Sequence, residues 1–145
     1  MVKSMNKNQV SIVMPSRDAA KTVAEAVRSV LAEPEVGELV LVDDGSKDNT
    51  AAIAAAAGDN RLCVVKGPEN GVAEALNCGV EAASYDFVAR CDADDLYGPG
   101  RFGLQLSWIL NHPEFIAISG AFASMTSTGK HVADLAYAKP AGEIT

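Results

Sequence analysis

Cysteine, histidine and aromatic side chains are scarce in this 145-residue sequence. There are three cysteines (Cys63, Cys78 and Cys91), two histidines (His112 and His131) and 6% aromatics. No two cysteines form a C-x-x-C pair and their number is odd. That excludes a zinc ribbon or a disulfide framework and leaves reduced cysteines acting as small core hydrophobes. No run approaches the roughly 18 consecutive apolar residues of a membrane span. The opening MVKSMNKNQV lacks the apolar stretch of a secretory signal. Basic residues are few as well: 12 Lys+Arg stand against 19 Asp+Glu, a net charge of −7. Such a surface repels phosphate backbones, which argues against nucleic acid as a partner. Glycine is missing where a dinucleotide loop would need it. The first apolar run is followed by Ser16-Arg17-Asp18-Ala19, with neither a G-x-G-x-x-G nor a P-loop.

What is present is the balance of a globular domain: 48% apolar and 21% charged residues. Residues 1–8 are polar and aperiodic and read as a flexible leader; residues 9–145 read as one domain. Short β-branched runs alternate with helical periodicity. Val10 to Met14 is a buried strand ended by Pro15. Ala20, Val23, Ala24, Val27, Val30 and Leu31 fall on one helical face, with Asp18 placed to cap it. Leu39 to Val42 is a second strand. Ser46 is placed to cap an alanine-rich helix that runs to Ala57 and ends at Gly58. Leu62 to Val65 is a third strand. A helix follows with Val72, Ala75, Leu76, Gly79, Val80 and Ala83 on one face, Gly79 permitting close approach to a sheet. Phe87 to Cys91 is a fourth strand, and a helix from Pro99 ends at His112-Pro113. Phe115 to Ser119 reads as a fifth strand, and the remainder as a hairpin turning at Ser127-Thr128-Gly129.

This alternation predicts a mostly parallel sheet with helices on both faces. In such sheets ligands bind beyond the carboxyl ends of the strands. There the sequence sets Pro15-Ser16-Arg17-Asp18, Asp43-Asp44, the Gly67 to Gly71 loop, and Asp92-Ala93-Asp94-Asp95. Carboxylates from three strand ends thus meet on one rim. Their repulsion calls for a compensating cation, and hard oxygen donors suit Mg²⁺ or Mn²⁺ rather than zinc.

The stretches VSIVMPSRD, LVLVDDGSKDNT, ENGVAEALNCGVEAA and FVARCDADDLYGPGRF resemble, in order and spacing, the donor-binding half of family 2 glycosyltransferases of the GT-A fold, over about residues 9–120. The resemblance implies a three-layer α/β/α, Rossmann-like sheet cut short at its C-terminus. It implies that Pro15, Ser16, Arg17, Asp18, Asp43, Asp44, Gly71, Asn77, Asp92 and Ala93 bind a nucleoside-diphosphate sugar, most readily a UDP-sugar. Asp44 would contact the base and Asp43 shape its pocket. Asp94 would hold Mn²⁺ or Mg²⁺ through a D-x-D motif, and Asp92 would contact the ribose or share the metal. Three positions depart from the family pattern: Arg17 replaces an aromatic residue, Asp18 an asparagine, and Leu76 an arginine.

The implied reaction is an inverting transfer of sugar to the hydroxyl of a glycan or lipid-linked acceptor, in polysaccharide or cell-envelope synthesis. Family members supply the general base from a further segment, so the base is expected beyond Thr145. The chain alone is then expected to bind donor without full catalysis, and its uncovered surface to favour a dimer. The location implied is cytoplasmic, with membrane association a matter for the full-length protein. Two other classes stay open. One is a non-catalytic sugar-nucleotide-binding module. The other is a receiver-like Mg²⁺-binding signalling domain, which would need an acid pair after the first strand and a lysine after the fifth. A haloacid-dehalogenase-type phosphatase also carries D-x-D, but Asp95 stands where that class has Thr or Val.

Overall fold

A computed structural model describes residues 7–126 and 128–135. Its contacts divide the chain into two units after Leu106. In the first unit, strands β1 (Val10–Ser16), β2 (Val36–Asp43), β3 (Leu62–Lys66) and β4 (Phe87–Arg90) form one parallel sheet in the order β3-β2-β1-β4. Helices α1 (Val23–Leu31), α2 (Thr50–Ala55) and α3 (Val72–Ala82) connect them, and α4 (Arg101–Asn111) follows β4. The chain steps outward from β1 to β3, then crosses back to place β4 on the far side of β1. The strand order therefore reverses between β1 and β4, where a doubly wound sheet opens a crevice.

The period-two alternation of each strand decides which helix it meets. Ile12 and Met14 of β1 and Leu39 and Leu41 of β2 pack with Val23, Ala26, Val27 and Val30 of α1 and Ala54 of α2. Val40 and Val42 turn the other way, toward Ala75 of α3. Three layers result, as the alternation of strands and helices predicts. Gly79 makes the α3 side possible: a Cβ there would lie 2.3 Å from Cγ1 of Val13 and 3.1 Å from Cγ2 of Val42. Real Cβ atoms do not approach that closely, so only glycine lets the helix sit on the sheet.

β1 does not stop at Pro15 but runs on to Ser16, opposite Asp43. The Val13 carbonyl accepts from Cys91 N–H on the β4 side. Pro15 faces that same side, beyond the last residue of β1 that β4 pairs. Its missing N–H is therefore never required.

The predicted helix caps are not the ones used. Asp18 has φ of 51° and lies outside α1, whose N-cap is Thr22. Ser46 lies outside α2, whose N-cap is Asn49; there the Asp48 carboxylate accepts from Thr50 N–H instead. Both predicted caps are drawn into contacts between loops.

In the second unit the expected fifth strand is absent: residues 115–120 carry no regular structure. A strand needs a neighbour, and among the described residues none lies beside this run; Ile116 is 98% exposed. The expected hairpin does form. β5 (Phe122–Met125) pairs antiparallel with β6 (His131–Leu135), closed by Thr126 N–H to Lys130 O and by Gly129 at φ 82°. Ser127 of the predicted turn lies outside the described residues, as do residues 1–6 of the predicted leader. Among the described residues no helix is long and apolar enough to cross a membrane.

Candidate functional site

The carboxyl ends of the parallel strands open into a cavity of about 850 Å³. Its lining comes from the end of β1 and the loop after it, from Asp44, from the start of α3, and from Arg90 to Asp94. That is the crevice the strand order places between β1 and β4, and its size suits a nucleotide-sized ligand.

One wall is the β1–α1 loop, held by its neighbour across the sheet edge. Asp18 N–H donates to Ser46 Oγ (3.0 Å), and Lys47 N–H donates to the Asp18 carboxylate (2.7 Å). Ala19 N–H donates to Thr50 Oγ1 (2.8 Å) and Ala20 N–H to Asp48 Oδ2 (3.1 Å). These bonds fix a loop that contains a non-glycine residue at positive φ. The Thr50 hydroxyl, ahead of the backbone amides, also holds the Asp48 carboxyl below its usual range.

The second wall depends on Asp44, which is 3% exposed. Its N–H donates to the Ser16 carbonyl (2.9 Å), tying β2 to β1. Its two carboxylate oxygens accept from Glu69 N–H (2.7 Å) and Gly71 N–H (2.9 Å). Those donors sit at positive φ, 63° and 97°, in the loop that launches α3. A Cβ on Gly67 would come within 2.9 Å of Asp44 Oδ1. Asp44 thus shapes the loop that presents Gly71, Val72 and Ala75 to the cavity.

The third wall is the acidic segment after β4. The Arg90 guanidinium grips Asp92 with two bonds, Nε to Oδ1 at 3.0 Å and Nη2 to Oδ2 at 3.2 Å. The backbone of Asp92 is clamped separately. Tyr97 Oη accepts from its N–H and donates to its carbonyl, while Tyr97 N–H donates to Ser29 Oγ of α1. Burial pushes the Tyr97 hydroxyl up, so it stays protonated and able to donate. Burial likewise pushes the Cys91 thiol up to about 12, which keeps it neutral. Asp95 is pushed up first by burial, then by the charges of Asp94 and Asp92. Asp94 is exposed on the cavity wall, and among the described residues nothing hydrogen-bonds its side chain.

Pro15, Ser16, Arg17, Asp18, Asp44, Gly71, Asp92, Ala93 and Asp94 are therefore brought to one cavity. Asp43 and Asn77 are not among its lining residues. The Asp43 carboxylate accepts Ser46 N–H (3.1 Å) in a local turn, and Asn77 is exposed more than one turn into α3. Reading the sequence missed Lys21, Asp48 and Arg90 in the lining, and Tyr97 behind it. Arg90 carried a signal: Phe87 and Ala89 pack in the core, so alternation turns Arg90 to the opposite face at a strand end. Nothing in the sequence pointed to Tyr97.

Among the described residues, no three His, Cys, Asp or Glu side chains converge to enclose a metal ion. Asp92 and Asp94 nonetheless offer hard oxygens on one wall. That donor set fits Mg²⁺ or Mn²⁺, which take one or two carboxylates and complete their shell with phosphates and water.

Fold and cavity together define an α/β protein with a cavity at the carboxyl edge of its parallel sheet. The chain belongs to glycosyl transferase family 2, whose model matches residues 11–139. It is 44% identical over 119 residues to the succinoglycan biosynthesis protein ExoU of Rhizobium meliloti, covering 78% of this chain and 33% of that protein. It is 33% identical over 110 residues to WfgD of Escherichia coli, named a UDP-Glc:α-D-GlcNAc-diphosphoundecaprenol β-1,3-glucosyltransferase, covering 74% of this chain and 44% of WfgD. Among solved structures, glucosyl-3-phosphoglycerate synthase of Mycobacterium tuberculosis, bound to Mn²⁺, UDP and glucosyl-3-phosphoglycerate, matches with a TM-score of 0.60 at 27% identity. The match covers 71% of this chain and 39% of that one. The mannosyltransferase PcManGT of Pyrobaculum calidifontis, in complex with GDP-Man and Mn²⁺, matches with a TM-score of 0.64 at 25% identity, covering 70% of this chain and 32% of that one. The chain thus spans a third to under half the length of these relatives.

Proposed function

We propose that this cavity binds a nucleoside-diphosphate sugar, a UDP-sugar first. The protein is then a hexosyltransferase that transfers the sugar, with inversion, to a hydroxyl of a glycan or lipid-linked acceptor in polysaccharide synthesis. The observation that carries the reading is the meeting of Asp92 and Asp94 with the docked β1–α1 loop around one crevice of about 850 Å³. UDP in the mycobacterial complex and UDP-Glc in the name of WfgD support the choice of nucleotide.

Each wall has a task. Asp94, helped by Asp92, holds Mn²⁺ or Mg²⁺, whose contribution when bound is to stabilise the departing diphosphate as a Lewis acid. Asp44 fixes the loop against which the nucleoside rests, and the backbone from Pro15 to Asp18 forms the facing side. Tyr97 keeps the Asp92 backbone in place, so the acidic segment needs little reorganisation on binding. Among the described residues, Asp18, Asp44, Asp48 and Asp92 are each held by bonds from the protein, Asp94 is assigned to the metal, and none is assigned as the general base. The reading assigns donor binding to the described residues and leaves the acceptor's base to be supplied from outside them.

The test is thermal stability with UDP, in Mn²⁺ and in EDTA. With metal and UDP at a hundred times the dissociation constant, the chain gains about 2.7 kcal/mol. Equal stabilisation in EDTA would defeat the reading. Running GDP beside UDP separates the two nucleotide classes.

A further inference from the structure

The geometry points to Arg90 as a counter-ion that exchanges partners, held by Asp92 in the empty cavity and released to the diphosphate when donor and metal bind. This rests on the donor-site reading above.

The cavity wall carries three cationic side chains, Arg17, Lys21 and Arg90. Of these, only Arg90 is paired with a cavity carboxylate among the described residues, and that carboxylate is the proposed metal ligand Asp92. A divalent ion bound to Asp92 would draw charge from the two oxygens the Arg90 fork grips and would repel the guanidinium, so the pair loosens. The pair is easily loosened. The two side chains are 55% and 39% exposed, so solvent and salt screen their attraction. Asp92 itself stays put when Arg90 leaves, since Tyr97 clamps its backbone.

A freed guanidinium lies on the same wall as Asp94, beside the space the diphosphate would fill. Its planar fork matches phosphate oxygens as well as it matches a carboxylate. Position 76, where the family resemblance expects an arginine on α3, is leucine here. Arg90 supplies a guanidinium to the cavity from the end of β4. The exchange also links the two ligands. A diphosphate that draws Arg90 away leaves Asp92 unneutralised and raises its affinity for the metal. By reciprocity, the metal raises the affinity for the diphosphate by the same factor.

The experiment measures Mn²⁺ binding by electron paramagnetic resonance, with and without UDP, in wild type, Arg90→Gln, Arg90→Lys and Asp94→Ala. In Arg90→Gln, Mn²⁺ alone binds two- to about fivefold tighter, the range that release of an exposed ion pair allows. UDP in saturating Mn²⁺ binds at least tenfold weaker, the loss of a charged hydrogen bond, and UDP no longer tightens Mn²⁺. Arg90→Lys keeps the charge but not the fork and falls between. If Arg90 only braces the end of β4, Arg90→Gln lowers the melting temperature and leaves the coupling between Mn²⁺ and UDP at its wild-type value; that outcome overturns the proposal. Unchanged binding of both ligands overturns it too. Wild type that binds UDP with Mn²⁺, set against Asp94→Ala that does not, upholds the donor site whatever Arg90 does. Wild type that binds no nucleotide defeats both.

Discussion

At the scale of single residues, neighbouring acids on one rim do different work. Asp94 is exposed on the cavity wall, and among the described residues nothing hydrogen-bonds its side chain. Asp94→Ala is expected to abolish the metal dependence of nucleotide binding while leaving the unliganded melting temperature within about 2 °C, since exposed sites change stability by at most about 0.5 kcal/mol. A large drop without ligand would make Asp94 structural. Asp44 is the opposite case. Both of its oxygens receive backbone N–H groups, and replacing it strands two part-buried donors. Asp44→Ala should cost about 1–3 kcal/mol in urea unfolding and weaken nucleotide binding. Asp44→Asn should be nearly as damaging, because its NH₂ would face a backbone N–H. A stability equal to wild type in Asp44→Asn would show that the Gly67 to Gly71 loop does not depend on that carboxylate. The residue type was legible in the sequence in both cases. The division of labour was not, because it depends on which backbone amides fold back onto each side chain.

At the scale of elements, α3 lies on the sheet through one glycine. Gly79→Ala puts a methyl group into Val13 and Val42 and should destabilise by about 1–3 kcal/mol, as overpacking does. The same helix begins at the cavity, so nucleotide affinity should fall with it. Val13→Ala in the same chain vacates the space and should restore part of the loss. A Gly79→Ala chain as stable as wild type would mean that α3 can lift without cost. The helix periodicity and the role of Gly79 were both readable from spacing. The helix starts were misread at Asp18 and Ser46. Each of those residues is a good local cap, yet each is taken up by bonds between the two loops, and no local rule can see a partner 28 positions away. The fifth strand failed for a related reason: an apolar run becomes a strand only beside a neighbour.

At the scale of the whole molecule, one ion pair fastens the cavity-distal end of the first unit. Arg61 pairs with Asp59 at 2.8 Å and also donates to the carbonyls of Leu31 at the end of α1 and Val36 at the start of β2. Arg61, through its side chain and then its backbone N–H, lowers the Asp59 carboxyl from 3.8 to about 2. A depressed carboxylate stabilises the fold above its unfolded value and loses that contribution as pH falls through the folded one. Urea midpoints should therefore drop between about pH 4 and pH 2, and Asp59→Asn should flatten that limb; an unchanged slope would remove the pair from the account. The amino-acid sequence by itself determined the alternation of strands and helices, the three layers, the glycine beneath α3 and the set of acids at the strand ends. These follow from periodicity and local backbone preference, which act over a few residues. Only the tertiary structure decided the strand order β3-β2-β1-β4 and hence the crevice between β1 and β4. It also decided the withdrawal of Asp43 and Asn77 from that crevice, the Tyr97 clamp and the grip of Arg90 on Asp92. Each is a relation between side chains and segments whose approach is set by the packed sheet, and no spacing along the chain encodes it.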